Sequence, residues 1–235
     1  MRRVPYLRMD RAPSSDRVRI WFMSTLPEGD REWSWAASAD AVQEHQSHAR
    51  RLVGSRIIGI TYIDLDYTGF NHEDRTYGPR PVVDELEWAE ANWAMPMCDS
   101  VDFGIEFRSD NGQVWSVAWD PPGAIEGIGL REGTLLGVGG AADFNSALWD
   151  VTRRSRWTPL LDETVTDVEL HYKPWGPTSF WCPWITLSLG DRSIDLLLAQ
   201  GLREQPYLEP SPDNIVVVFP SEAGRFEPYK LWNDH

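Results

Sequence analysis

The chain has 235 residues, with 36 acidic against 22 basic side chains, a net charge of −14, 42% hydrophobic residues and 13 tryptophans. That length and hydrophobic share can bury a full core, which excludes a disordered chain, and two cysteines are too few for a disulfide-stapled scaffold. The negative balance argues against a nucleic-acid partner, because affinity for phosphates rests on Lys and Arg.

Residues 1–19 hold six Arg against Asp10 and Asp16, a local charge of +4 that leaves −18 for the rest. They read as a basic arm, either solvated or docked on the acidic body or on a partner. No apolar run of a signal peptide follows, and no stretch reaches the ~18 apolar residues of a membrane span. A soluble, cytoplasmic protein is therefore expected. A strand is predicted over 18–23 and a helix over 38–52, with Ser38 as its cap. On that helix His45 and His48 lie three apart, near enough to share one metal ion. A metal site needs further ligands. His72, Glu73 and Asp74 in a following loop are candidates, and the alternative is an exposed polar helix face.

A strand follows over 57–67. Asp64 and Asp66 project from one of its faces, roughly 7 Å apart at ~3.3 Å per residue. Such a pair, with His72, suits acid–base work in a cleft; equally, it suits a solvated strand end. Asp102 and Glu106 form a similar pair on the next strand. Between these, residues 82–94 are predicted helical. From 82 to 106 there are seven acids (Asp84, Glu85, Glu87, Glu90, Asp99, Asp102 and Glu106), no Lys or Arg, and two indoles, Trp88 and Trp93. Acids around aromatic anchors suit a basic protein surface, charge steering the encounter and the rings supplying affinity. The competing reading is a solvated amphipathic helix whose tryptophans face the core.

Val101 to Arg108 alternates apolar and polar residues, as a half-buried strand does. A three-residue loop, Asp110-Asn111-Gly112, sets Phe107 opposite Trp115 and gathers Phe103, Ile105, Phe107, Trp115, Val117 and Trp119 on one face. A two-residue loop does not, so the bulged register is expected, with Gly112 left-handed. A strand over 126–131 precedes glycine-rich residues 132–142. Within them 137–142 match G-x-G-x-x-A, yet no βαβ unit surrounds the motif, which leaves a connector. A helix is predicted over 143–153 and strands over 165–173 and 214–219. From Lys173 to Trp184 come three Trp, one Phe and three Pro, a stiff connection whose Trp175, Trp181 and Trp184 suit stacking on a sugar or heterocycle. The alternative is a loop folded over the core edge. A two-residue Gly190-Asp191 turn then pairs Ile185, Leu187 and Leu189 with Leu196, Ile194 and Arg192. Cys98 and Cys182 read as buried thiols, with a disulfide or a reactive thiol as alternatives.

Residues 52–60 align with 160–168 at a constant offset of 108. Each is preceded by a segment of helical character and followed by a cysteine and a hairpin. The expected architecture is α+β and mainly antiparallel, with two related β-rich halves sharing one core and helices on the flanks. The expected boundaries are an arm at 1–19, halves at 20–131 and 143–235, and a connector at 132–142.

The hairpin Val101-Asp102-Phe103-Gly104-Ile105-Glu106-Phe107 with Gly112 to Trp119 resembles hairpins of uncharacterised bacterial proteins. It is also similar to β-rich immunity proteins of polymorphic toxin systems. That resemblance implies an acidic, cytoplasmic binding protein that is not an enzyme, and it assigns no functional residue. The leading expectation is thus a protein without cofactor that occludes a basic partner through residues 82–106. A small-molecule module using the Trp-rich connection comes second, and a carboxylate enzyme third.

Overall fold

A computed structural model describes residues 35–65, 79–120, 127–135, 146–203 and 208–222. The strand expected at 18–23, the basic arm, Asp66, His72 and the G-x-G-x-x-A segment lie outside the described residues. Three sheets, two of them large, account for most of the remainder.

The first large sheet is built from β2 (Ile57–Leu65), β3 (Arg80–Pro81), β5 (Phe103–Ser109), β6 (Val114–Asp120), β7 (Gly127–Glu132) and β8 (Ser146–Asp150). Its six strands lie in the order β3-β8-β2-β5-β6-β7. The second is built from β4 (Asp99–Val101), β9 (Val165–Leu170), β12 (Trp184–Leu189), β13 (Arg192–Gly201) and β14 (Leu208–Val218). Its five strands lie in the order β4-β14-β13-β12-β9. A small sheet joins β1 (Trp35–Ala36), β10 (Lys173–Trp175) and β11 (Ser179–Trp181). Among the described strands every pairing is antiparallel except β3 with β8.

Both hairpins take the register their side chains demand. Phe107 faces Trp115 across a loop in which Gly112 has φ +82° and Ser109 N donates to Gln113 O. Leu189 faces Arg192 and Leu187 faces Ile194 across Gly190, whose φ is +60°. The first register puts Phe103, Ile105, Phe107, Trp115, Val117 and Trp119 in the core, and the second does the same for Ile185, Leu187, Leu189, Ile194 and Leu196, so a one-residue slip would turn these side chains away from it. The inner faces of the two sheets meet in one continuous core that runs from Ala49 to Phe219 and holds Trp115, Trp157, Tyr62 and Phe107.

The strand 99–109 serves both sheets. β4 pairs with β14, the chain bends at Asp102, and β5 then pairs with β2. The corner costs backbone strain, since Phe103 has φ +147°, a region disfavoured for any residue but glycine. Asp64 holds it: its Oδ1 accepts from Asp102 N at 2.8 Å, while Leu65 N donates to Asp102 O.

Helix α1 (Ala39–Ala49) starts where Ser38 accepts from Ala41 N, as its sequence indicates. It continues into a 3-10 turn over Arg50–Leu52. Its Gln46 amide pairs with the open edge of β9, donating to Val168 O and accepting from Leu170 N. A side chain thus does the work of a further strand and closes an edge that another chain could otherwise extend.

Two predicted helices are corrected. Residues 146–150 of the expected 143–153 helix form strand β8, whose Ala147 and Trp149 are buried and whose backbone pairs with β2. A two-residue period won over helix propensity once a strand edge was available. The expected 82–94 helix shrinks to α2 (Glu85–Ala89). Val82 is tied to Leu148 O, and Asp84 caps the helix late by accepting from Leu86 N.

Candidate binding face

The acidic segment is built around α2. Val82 is buried beside β8, so the chain turns outward immediately after it. Beneath α2 lies a cluster of rings. Trp88 packs edge-on against Trp149 at 4.9 Å between centroids, Trp93 against Trp149 at 5.6 Å, and Tyr62 against Trp93 at 5.0 Å. Arg154 sits 4.6 Å above the Trp88 ring and 5.9 Å from Trp93, an arrangement in which a guanidinium is attracted to the negative ring face. Trp88 Nε1 donates to Val82 O. The indoles therefore fasten α2 from below. Trp93, 3% exposed, is a core residue and not the surface anchor expected of it.

Above the rings the face is open. Val83 is 84% and Leu86 76% exposed, and Asp84, Glu85 and Glu90 around them are exposed as well. Sequence reasoning missed these two aliphatic residues because the indoles beside them were the stronger apolar signal. It also counted too many free acids. Glu87 pairs with Arg80 at 2.8 Å, and Asp99 is buried against Arg156 at 2.6 Å. Glu106 lies on the outer face of the six-stranded sheet and accepts from Leu135 N and Thr134 Oγ1. The segment has no Lys or Arg of its own, but the fold brings Arg80, Arg154, Arg156 and Arg203 to it, the last donating to Ala91 O.

Asp99 belongs to a buried network. Tyr62 Oη donates to Asp99 Oδ2 at 2.7 Å and accepts from Trp157 Nε1 at 2.7 Å. Arg156 spans Asp99 Oδ1 and the carbonyls of Met95, Pro96 and Cys98. Burial pushes the Asp99 carboxyl above its usual range, with the bonds from Tyr62 and Arg156 pulling the other way. Burial and the neighbouring carboxylate hold the Tyr62 phenol well above its ordinary value. Every polar atom named here has a partner, which is the mark of a structural network joining the sheets.

The remaining candidates are dispersed. Asp64 is 8% exposed and clamps the sheet corner, so it does not stand in an open cleft as an acid or base. His45 is bonded through Nδ1 to the phenol of Tyr172, just past the end of β9, and His48 packs on Trp115 at 5.4 Å. Burial and Arg51 lower the His48 pKa, Glu132 opposing. Among the described residues no three His, Cys, Asp or Glu side chains gather as a metal site. The three connection tryptophans do not form one platform. Trp181 is in the main core, Trp184 packs with the outer cluster of the five-stranded sheet, and Trp175 stands 43% exposed at the tip of the β10–β11 hairpin. Trp184 stacks on His171 at 3.6 Å. Cys98 and Cys182 are buried free thiols, each pushed up to about 12 by burial.

Among the described residues no helix is long and apolar enough to cross a membrane. No family model, curated protein or solved structure matches the chain.

Proposed function

We propose that this chain is a non-enzymatic binding protein that covers a basic surface of a partner protein with its α2 face, as an immunity-type inhibitor does. The observation that carries the reading is the pair Val83 and Leu86, 84% and 76% exposed, among the exposed carboxylates Asp84, Glu85 and Glu90. Exposed aliphatic side chains gain by leaving water, at roughly 25 cal/mol per Å². The acids around them select a cationic partner and speed its approach. The ring cluster below keeps the face from having to be ordered on binding, which lowers the cost of association. Two free buried thiols suit a reducing compartment, so the reading extends to a cytoplasmic location.

The experiment is affinity capture from the native host with the wild-type chain and with V83D/L86D side by side, followed by mass spectrometry. The reading expects a basic protein retained by the wild type and lost by the variant. Retention of the same protein by both chains overturns the assignment of the face.

We also infer that the two halves are related. The order β2-β5-β6-β7 in one sheet parallels β9-β12-β13-β14 in the other. Two 3-10 turns, Arg50–Leu52 and Thr158–Leu160, stand at the offset of 108, and so do Arg56 and Thr164, which pair with each other. The helix expected before the second half is a strand, so the relation rests on the sheets.

A further inference from the structure

A groove of about 130 Å³ lies on the outer face of the six-stranded sheet. Its wall is a polar row across three strands, Asp150 of β8, Thr61 of β2 and Glu106 of β5, each opposite the next in register. One step further along, Gly59 faces Arg108. Directly cross-strand side chains stand about 5 Å apart, and successive same-face rows about 7 Å.

Three features set this place apart from an ordinary solvated sheet face. The pairing of β2 with β5 slips between Ile57 and Gly59, a bulge that leaves Ile58 unpaired, and bulges commonly re-aim side chains beside binding sites. Gly59 occupies a strand interior, where glycine weakens the strand unless something approaches closely. Here a Cβ would stand 2.7 Å from Arg108 Nη2, so the guanidinium lies where a side chain would otherwise be. Finally, Arg108 is exposed and makes no hydrogen bond or ion pair among the described residues, although an exposed carboxylate, Asp150, and a half-buried one, Glu106, line the same groove. Those carboxylates are half used. Glu106 receives both of its bonds on Oε1, and Asp150 receives Thr152 N on Oδ1.

We propose that the groove binds a small free α-amino acid, its carboxylate on Arg108 and its ammonium on the spare oxygens of Asp150 and Glu106. The spacing fits. An ammonium and a carboxylate on one carbon, with a hydrogen bond of about 2.9 Å at each end, reach roughly 8–9 Å when extended, enough to bridge side chains from rows about 7 Å apart along the backbone. The groove has room for a glycine- or alanine-sized molecule and is open to solvent on one side. The proposal does not depend on the α2 face.

The test is calorimetric titration of the full chain with glycine, L-alanine, acetate and methylammonium. Glycine and alanine are expected to bind saturably with Kd below about 1 mM, and acetate and methylammonium at least tenfold more weakly. G59A places a methyl where the guanidinium lies. The nearest atoms it meets are the end of a flexible side chain, so the variant should fold and lose binding at least tenfold. R108Q and D150N, which leave the backbone alone, should each weaken glycine by a similar factor. No saturable binding by either amino acid, acetate binding as tightly as glycine, or unchanged binding by folded G59A and R108Q would each overturn the proposal.

Discussion

Lowering the pH below neutrality should cost this protein stability through His171. The imidazole stacks on Trp184 at 3.6 Å, and its Nε2 lies 2.9 Å from Thr186 Oγ1. Thr186 gives its one proton to Asp195 at 2.6 Å and accepts from Trp184 Nε1 at 3.0 Å. Its remaining lone pair takes a proton from His171, which fixes a neutral ring protonated on Nε2. Burial, with help from Lys173 and against Asp195, lowers the His171 pKa to about 4. In the unfolded chain the ring titrates near 6.5. Between those values the unfolded state holds more protons, so the contribution is complete above about pH 6.5 and is lost as pH falls towards 4. At pH 4.5 the loss comes to roughly 2–3 kcal/mol, at about 1.4 kcal/mol per pH unit. The side chain is only 18% exposed, so screening removes little of it. The assay is urea unfolding at pH 7 and 4.5 for the wild type and for His171→Gln, whose amide can still donate to Thr186. The wild type should lose about 2–3 kcal/mol more than the variant across that interval. An identical loss in both, or a His171 ring resonance titrating near 6.5, would refute the reasoning.

Three further outcomes follow from the buried polar groups. Tyr62→Phe removes one hydrogen bond to a carboxylate and strands Trp157 Nε1, so urea unfolding should show a loss of about 2–4 kcal/mol; a loss under about 0.5 kcal/mol contradicts the network. Asp64→Ala leaves Asp102 N without its acceptor at the strained corner and should cost about 1–3 kcal/mol by the same assay. Cys98 and Cys182 should resist a thiol-specific chromogenic reagent at pH 8 in the native protein and react fully in urea, since both are buried with pKa values near about 12.

The hairpins were legible because a two-residue period leaves a turn only one register that buries every aromatic ring, as Phe107 opposite Trp115 shows. Ser38 was legible for a similar local reason, its hydroxyl meeting the Ala41 amide in the first turn of α1. What failed was whatever depends on distant partners. Residues 146–150 became a strand because β2 offered an edge, which no local pattern reveals. The acids of residues 82–106 looked unneutralised because Arg80, Arg154 and Arg156 lie outside that stretch. Trp93 is buried and Trp88 half-buried beneath α2, and the exposed Val83 and Leu86 show only once α2 is known to be short. The groove at Gly59 left a trace in the sequence, a glycine within an apolar strand, whose meaning depends on Arg108 lying across it.

The most direct test of the α2 face is the kinetics of the captured partner on the wild type, on L86D and on D84K/E85K/E90K, each at low and high salt. The account predicts that the charge-reversed variant associates more slowly and loses most of its salt dependence, and that L86D dissociates faster. Association and dissociation rates unchanged in both variants would contradict it.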